Sequence, residues 1–235
     1  MKQAYTVFQD LGLKDYKEVW DLQEALFKGV VDIKLYNREH AEALKKVVNQ
    51  LLFVEHPHVY TLGKSGTQNN LLINEQFLKS IDATFYKINR GGDITYHGPG
   101  QIVGYPIFDL EEMDLKVKSY IHQLEEAIIQ TIGEYGIAGE RLEGATGVWI
   151  DTQVPGKARK ICAIGVKASR YVSMHGFALN VNTNLSYFNH INPCGFVDKG
   201  VTSMEKELGT VQDMAEVKSK LLQNMAKIFC LELKV

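Results

Sequence analysis

Only three long stretches of this 235-residue chain have the apolar spacing of an amphipathic helix, and strand-like segments fill much of the sequence between them. Apolar residues recur every three or four positions in residues 15–30, from Asp114 to Gly136, and in residues 211–229. So few helices among so many strands leave no regular strand–helix–strand alternation, which a doubly wound parallel sheet requires. The pattern therefore predicts an α+β fold, with mixed β-sheets flanked by helices in a single domain over residues 1–235.

The predicted strands are short runs of apolar or alternating residues that end at proline, glycine or polar clusters. They occupy residues 4–9, 50–55, 59–62, 84–89, 94–97, 102–110, 146–151, 159–168 and 171–182. The last two are close enough in sequence to predict a hairpin that turns around Ser169 and Arg170. A short helix over residues 75–80 capped by Asn74, a turn or helix over 185–189 and a polar connection over 36–46 complete the prediction.

The composition and charge exclude several classes of protein. A hydrophobic fraction of 45% and a charged fraction of 23% are typical of a globular chain, and the net charge of −2 gives no overall attraction to nucleic acid or membranes. No run reaches the ~18 apolar residues of a membrane helix. The N-terminal residues, with Asp10 and Asp15, resemble neither a signal peptide nor a transit peptide. We expect a cytoplasmic protein that binds neither nucleic acid nor membrane, with a monomer as the default state.

The three cysteines are too few and too scattered for a disulfide framework or a zinc site. Cys230 closes the last helical run, which predicts a core position. Cys194 stands between a proline, which fixes φ, and a glycine, which permits positive φ, so the local sequence predicts a thiol at the tip of a loop. A loop cysteine without a role is the alternative.

The segment from Arg90 to Gln101 has four glycines in twelve residues, a density that lets a ligand approach the main chain. It contains neither the phosphate-binding loop of nucleotide hydrolases nor a dinucleotide fingerprint. A hairpin that merely needs glycines is one interpretation. Arg90 and His97, which flank those glycines, favour a binding site, because buried loops seldom carry both without a partner.

A second segment, residues 157–167, carries a candidate catalytic lysine. If residues 159–166 form a regular strand, Lys160, Cys162 and Ile164 share one face. Lys160 beside a thiol favours the thiolate, so Cys162 is a rival nucleophile, although a cysteine in the middle of a strand is usually inert. The segment and its surroundings are also rich in cations, which form either a solvated strand edge or a docking patch for an acidic carrier protein: Lys157, Arg159, Lys160, Lys167 and Arg170.

The third segment, residues 174–180, begins with His175, which looks exposed in the sequence. This histidine is either a base or a structural residue at the start of a strand. Phe177 and Leu179 alternate with smaller residues, so they are expected to point together and to form a wall of an apolar pocket.

Taken together and in this order, these segments closely resemble the octanoyltransferases of lipoate biosynthesis, the lipoyl(octanoyl) transferase or lipoate-protein ligase B family. The likeness extends from about residue 50 to 205. Its matching pieces are residues 90–101 (RGGDITYHGPGQ), 160–166 (KICAIGV), 175–180 (HGFALN), 193–195 (PCG), 52–57 (LFVEHP) and 60–63 (YTLG).

The resemblance implies a fold like that of the biotin and lipoate protein ligases, and a reaction that needs no cofactor. Octanoyl would move from octanoyl-acyl carrier protein to Cys194, and then to a lysine of apo lipoyl domains of 2-oxoacid dehydrogenases or of the glycine cleavage H protein. Lys160 would lower the pKa of Cys194. The residues that would bind the substrate are Arg90, Gly91, Gly92, Asp93, Ile94, Thr95, Tyr96, His97, Ala163, Ile164, Gly165, Gly176, Phe177 and Ala178.

Three other functions remain open at this point. The same fold would also suit an ATP-dependent lipoate or biotin ligase, which needs adenylate-binding residues and no cysteine. It would equally suit an amidotransferase that moves octanoyl from one lipoyl domain to another. A non-catalytic carrier-binding or lipid-sensing protein is the third alternative, although such a role has no use for a thiolate.

Overall fold

The computed structural model describes residues 4–192 and 199–234. Its five α-helices are α1 (Tyr16–Glu39), α2 (Glu75–Ser80), α3 (Val117–Gly133), α4 (Met204–Leu208) and α5 (Met214–Phe229). Its strands are β1 (Ala4–Leu13), β2 (Asn49–Glu55), β3 (Val59–Leu62), β4 (Thr84–Lys87), β5 (Ile94–His97), β6 (Gln101–Ile107), β7 (Glu140–Leu142), β8 (Ala145–Ile150), β9 (Arg159–Ser169), β10 (Val172–Asn180), β11 (Gly200–Val201) and β12 (Leu231–Lys234).

The strands form two mixed sheets. The large sheet has the order β12-β1-β2-β6-β10-β9-β8-β7, and β11 pairs with β9 outside that path. Its centre is antiparallel, whereas β1 is parallel to both β12 and β2. The small sheet has the order β4-β3-β5. This arrangement confirms the α+β prediction.

The two faces of the large sheet carry separate cores, because successive residues of a strand point to opposite sides. On β2 and β6, Phe53 and Ile102 belong to the larger core, together with apolar residues of α3 and α5. The neighbouring Leu52 and Val103 belong to a second core against α1. Three residues of this second core, Val103, Tyr105 and Ala178, border the cavity described below, as does Tyr16 of α1, so the cavity lies on the α1 side of the sheet.

The helices differ from the sequence prediction mainly at their ends. The predicted helix over 15–30 continues to Glu39, because Lys34 on its polar continuation is buried in an ion pair with Asp109. The next long helix begins at Val117 and not at Asp114. Asp114 has a left-handed φ of +54°, which does not fit the first turn of a right-handed helix. The caps behave as expected, since the Asn74 side chain accepts the Phe77 N–H at the start of α2.

The strand predictions hold for the small sheet and for most of the large sheet, and they fail for three short strands of the large sheet. The β9–β10 hairpin is confirmed, and its turn residues Arg170 and Tyr171 both have positive φ, as a two-residue hairpin loop requires. The sequence did not predict β7, β11, β12 or α4. These elements have two to five residues each, too few to show a clear apolar periodicity. Within the described residues, no helix has both the length and the apolar content to cross a membrane.

Candidate active site

A cavity of about 570 Å³ lies between the large sheet and the segments that the small sheet supports. Strands β6, β9 and β10 form its floor, the loop that starts at Arg90 borders it, and the N-terminal end of α1 reaches it through Tyr16. Asn192 and Lys199, the described residues on either side of positions 193–198, also border it. The predicted nucleophile, Cys194, lies outside the described residues.

Close contact between the Arg90 loop and β9 depends on glycine. The Gly91 N–H donates to the Val166 carbonyl at 3.1 Å, which docks the loop onto the strand. A Cβ at Gly165 would lie 2.9 Å from the Gly91 oxygen, closer than such contacts normally come. Any side chain at Gly165 would therefore push the loop away from the sheet.

Arg90 is a buried cation held mainly by oxygen atoms of neutral groups. Its guanidinium donates to the Thr61 carbonyl at 2.8 Å, to the Thr61 hydroxyl at 3.1 Å and to the Gly91 carbonyl at 2.9 Å. Among the described residues, no carboxylate lies within ion-pair distance of it. Its side chain borders the cavity, so Arg90 makes that end of the cavity electropositive.

Asp93 links the same loop to the chain that precedes position 193. Both of its carboxylate oxygens accept hydrogen bonds from the Asn70 amide, at 2.7 and 2.8 Å. The Asn70 carbonyl accepts the N–H of Asn192 at 2.8 Å. The Arg90 loop and the residue before position 193 are therefore joined through one residue, Asn70, whose side chain binds Asp93 and whose main-chain carbonyl binds Asn192.

His97 belongs to a chain of hydrogen bonds whose direction is set by a main-chain carbonyl. The side-chain N–H of Asn180 donates to the Thr202 carbonyl at 3.0 Å, which fixes the orientation of the Asn180 amide. The Asn180 side-chain oxygen accepts a hydrogen bond from Nε2 of Gln101 at 2.8 Å. The Gln101 oxygen in turn accepts from Nδ1 of His97 at 2.8 Å. Burial lowers the pKa of His97 to about 3, so the ring is neutral, with its proton on Nδ1.

Lys160 reaches the cavity because β9 is irregular. Trp149 pairs with Lys160 and Val148 with Cys162, so one strand advances by one residue while the other advances by two. The extra residue, Ile161, is a β-bulge that sends Lys160 and Cys162 to different sides of the sheet. The prediction that they share one face is wrong, because it assumed a regular strand.

The bulge leaves the two residues in different environments. Lys160 borders the cavity, its Nζ donates to the Thr146 carbonyl at 3.1 Å, and it lies 4.6 Å from the centre of the Trp149 ring. Burial lowers the pKa of the Lys160 amine to about 8. Cys162 is fully buried in the larger core, and burial raises the pKa of its thiol far above the ordinary value. Cys162 is therefore inert packing.

The other predicted positions are less uniform. Cys230 is not a core residue: it is partly exposed and forms the left-handed cap of α5. His175 is not exposed but 2% accessible in the middle of β10. Within the described residues, no three His, Cys, Asp or Glu side chains are grouped so that they could hold a metal ion.

A family model described as the lipoyl protein ligase A/B catalytic domain matches residues 15–226. The chain belongs to this family. Curated relatives named octanoyltransferase confirm the narrower resemblance: one from Christiangramia forsetii is 58% identical and covers 96% of both chains, and one from Flavobacterium psychrophilum is 59% identical and covers 94% of this chain and 95% of its own. The fold is similar to a bi-partite lipoate protein ligase of Thermoplasma acidophilum, with a TM-score of 0.70 at 12% identity, over 100% of this chain and 86% of that one.

Most residues that the family resemblance selects for substrate binding border the cavity. They are Arg90, Gly92, Asp93, Ile94, Thr95, His97, Ala163, Ile164, Gly165, Gly176, Phe177 and Ala178. Gly91 and Tyr96 do not border it; Tyr96 is buried in the small-sheet core, where its hydroxyl meets Nδ1 of His58 at 2.7 Å. The Phe177 ring packs over Gly104 in the larger core, which also contains Leu179. The two residues therefore point together as predicted, but toward that core, and of the two only Phe177 borders the cavity.

Several residues that border the cavity were not selected from the sequence. Tyr16 and Tyr105 come from elements outside the strongest motifs, and Trp149 comes from β8. Gln101 and Asn180 are the last residues of two matching pieces, and that position at a motif boundary is the signal that could have found them.

The predicted basic patch is largely neutralised. Arg159 forms ion pairs with Asp151 at 2.5 Å and with Glu207 at 2.6 Å, and Lys167 lies 3.4 Å from Glu24. Lys160 is in the cavity wall, which leaves two exposed members of the set, Lys157 and Arg170. The strand edge is therefore a weak candidate for docking an acidic carrier.

Proposed function

We propose that this protein transfers octanoyl from octanoyl-acyl carrier protein to a lysine of apo lipoyl domains, through a thioester on Cys194. The observation that carries the proposal is Lys160, a cavity-wall lysine with a pKa of about 8, in a chain of the octanoyltransferase-type family. Asn192 and Lys199, which flank positions 193–198, border the same cavity as Lys160. This supports a role of Cys194 at that cavity.

In the first step, the Cys194 thiolate attacks the thioester carbonyl and the carrier thiol leaves. One thioester is broken and one is formed, so the exchange is close to isoenergetic. Lys160 as an ammonium ion would favour the thiolate, which is the nucleophilic form. At neutral pH, a lysine with a pKa of about 8 is still mostly protonated and can fill that role.

In the second step, the substrate lysine amine attacks the Cys194 thioester, an amide forms and the cysteine thiol leaves. The attacking amine must lose a proton, and a base whose pKa is near the working pH accepts it best. Neutral Lys160 meets that condition, because a lysine with an ordinary pKa would rarely be neutral. No nucleotide or metal is needed, since an amide is more stable than a thioester.

The acyl chain would lie along the floor of the cavity. Val103, Ala163 and Ala178 on the central strands present small apolar side chains there, and Ile94 and Ile191 border it too. At ~0.8 kcal/mol per buried methylene, an octanoyl chain would gain roughly 5 kcal/mol from leaving water.

The deciding experiment is intact-mass measurement after the protein is mixed with octanoyl-acyl carrier protein, beside Cys194→Ser and Cys162→Ser variants. We expect a gain of one octanoyl group on the unmodified protein and on Cys162→Ser, removable by hydroxylamine and absent from Cys194→Ser. An unmodified protein that acquires no octanoyl group would refute the thioester mechanism.

The same assay separates the other functions. Transfer that requires ATP and free octanoate or lipoate would identify a ligase, and transfer that starts only from an octanoylated lipoyl domain would identify an amidotransferase. Binding of the acyl carrier without any transfer would leave a carrier-binding protein.

A further inference from the structure

The cavity wall carries two buried polar groups that take no part in the proposed chemical steps. Arg90 is 8% exposed and His175 is 2% exposed, and both border the cavity. Each has one buried polar atom without a hydrogen-bond partner among the described residues: Nε of Arg90 and Nδ1 of His175. Unpaired buried polar atoms are costly, so two of them in one cavity wall suggest a ligand.

His175 is held at this position by an unusual backbone. Its φ of +60° is left-handed, although it lies within β10. The register of β6 and β10 places Pro106 opposite it, and proline has no N–H to donate to the His175 carbonyl. The His175 N–H donates to Oε1 of Gln23 on α1, at 3.2 Å. Backbone strain of this kind persists where the surroundings enforce it, commonly at functional sites.

The two unpaired atoms have opposite hydrogen-bonding character. Nε2 of His175 lies 3.1 Å from Oδ1 of Asn89, an acceptor, so Nε2 carries the ring proton and Nδ1 is an acceptor. The His175 ring is neutral, because burial and the nearby Arg90 charge lower its pKa to about 3. Nε of Arg90 is a donor. A hydroxyl oxygen satisfies both atoms, since it accepts from one and donates to the other.

The length of the cavity leaves room for such a group. His175 is five residues along β10 from Asn180, which the register of β9 and β10 places beside Ile161 and hence at the Lys160 end, so the two positions are about 16 Å apart. Three main-chain bonds advance an extended chain by about 3.5 Å, so the seven bonds of an octanoyl chain advance about 8 Å. If the octanoyl carbonyl lies near Lys160, the last carbon of the chain is about 8 Å from the His175 backbone. That distance accommodates the His175 side chain and one small polar group.

We infer that Arg90 and His175 form a hydroxyl-binding site at the far end of the acyl cavity, so that the protein accepts acyl chains with a terminal hydroxyl in preference to longer alkyl chains. The inference rests on the proposed function, which sets the direction of the chain. With octanoyl itself, a water molecule takes the place of the hydroxyl, and a ninth carbon would displace that water without replacing its hydrogen bonds.

The test compares two acyl-carrier thioesters with equal numbers of non-hydrogen acyl atoms, 8-hydroxyoctanoyl and nonanoyl, with octanoyl as the reference. In competition, we expect kcat/KM for 8-hydroxyoctanoyl to exceed that for nonanoyl by at least about tenfold, because a site built around a hydroxyl rejects the analogue that lacks it. A plain apolar slot would give the opposite order. Equal use of the two chains, or a preference for nonanoyl, would overturn the inference.

His175→Asn is the informative variant, because asparagine tolerates left-handed φ and its shorter side chain withdraws the acceptor. We expect the hydroxyl preference to fall by about tenfold, while circular dichroism confirms a folded protein. His58→Asn is the matched control: it changes a histidine outside the cavity and should leave the preference intact. An unchanged preference in His175→Asn would also contradict the assignment.

Two further outcomes are distinguishable. Failure of octanoyl itself to be transferred would reject the proposed function and not the hydroxyl site specifically. Faster use of a chain that ends in a carboxylate would show an anion site governed by Arg90, and would overturn the inference, because the lone pair of His175 should repel a carboxylate.

Discussion

Two lysines of this protein are shielded from water by different groups and to different degrees. Lys34 on α1 is 7% exposed and pairs with Asp109, which is itself buried, and with Glu111 at 3.0 Å. Lys160 on β9 faces the Thr146 carbonyl and the Trp149 ring. Lys34 is held in an ion pair with its carboxylate partners, whereas desolvation at the cavity wall lowers the pKa of the Lys160 amine to about 8. The surroundings, and not burial alone, make a lysine suitable for proton transfer.

The largest expected effect is on activity. Lys160→Met should lower kcat/KM for octanoyl transfer by about 10²- to 10⁴-fold, because methionine fills similar space but can neither stabilise a thiolate nor accept a proton. Steady-state assays with octanoyl-acyl carrier protein measure this. Lys34→Met, assayed below its unfolding transition, should keep near-normal turnover. Comparable losses of kcat/KM in both variants would contradict a specific role of Lys160 in the transfer.

The second prediction concerns Lys34 and the free energy of unfolding. Lys34→Met should lower the free energy of unfolding by about 3–5 kcal/mol, because it strands the Asp109 carboxylate in the interior. Urea denaturation followed by circular dichroism measures the loss. Adding Asp109→Asn to Lys34→Met should recover part of it, and a double variant no more stable than the single one would argue that the lost packing of α1 matters more than the charge.

The third effect is a pH dependence of the second step. Below the Lys160 pKa of about 8, the rate at which the acyl-enzyme loses octanoyl to a lipoyl domain should rise about tenfold per pH unit, and it should level off above it. Single-turnover measurements from pH 6 to 10 give the profile. A flat profile would remove Lys160 as the base, and Lys34→Met provides the control, since its profile should match that of the unmodified protein.

The fourth effect links the same pKa to folding. The folded protein holds the Lys160 pKa below its ordinary 10.5, so between about pH 8 and 10.5 the unfolded chain binds more protons than the folded one. Stability should therefore rise with pH across that window, relative to Lys160→Met, by less than about 1.4 kcal/mol per pH unit. Parallel urea titrations at pH 8 and 10 test this, and identical pH slopes for the two proteins would contradict it.

The smallest effect concerns Glu111, the exposed partner of Lys34. Its side chain is 52% exposed, and exposed ion pairs contribute little, so Glu111→Gln should cost less than about 1 kcal/mol of stability. The same urea denaturation gives the stability loss of Asp109→Asn, which removes the buried carboxylate partner of Lys34, and the two losses can be compared directly. A larger loss for Glu111 than for Asp109 would reverse the ranking of the two partners.

The candidate site was partly predictable, because its main segments carry local signals. The glycines from Arg90 to Gln101 and the lysine of residues 157–167 stand out in the sequence, and both segments meet at the cavity. Tyr16 and Trp149 gave no such signal. An aromatic residue in a helix or strand is usually core, and only the arrangement of distant elements turns it toward a cavity.

The face on which Lys160 lies illustrates the limit of strand periodicity. Alternation predicts that Lys160 and Cys162 point the same way, and one inserted residue, Ile161, reverses that result. A bulge depends on how the neighbouring strand β8 pairs, which residues 159–166 alone do not encode. The buried His175 is a similar case, since its conformation depends on Gln23 and on the position of Pro106.

By itself, the sequence determined the features that depend on nearby residues: the mixture of helices and strands, the hairpin between β9 and β10, the Asn74 cap, and the segments that carry the site. Only the tertiary structure decided how far α1 extends, that Lys34 is paired with a buried carboxylate, and which side of the sheet Lys160 occupies. Those features depend on contacts between residues far apart in the chain, such as Lys34 with Asp109, and such contacts leave no periodic pattern in either segment.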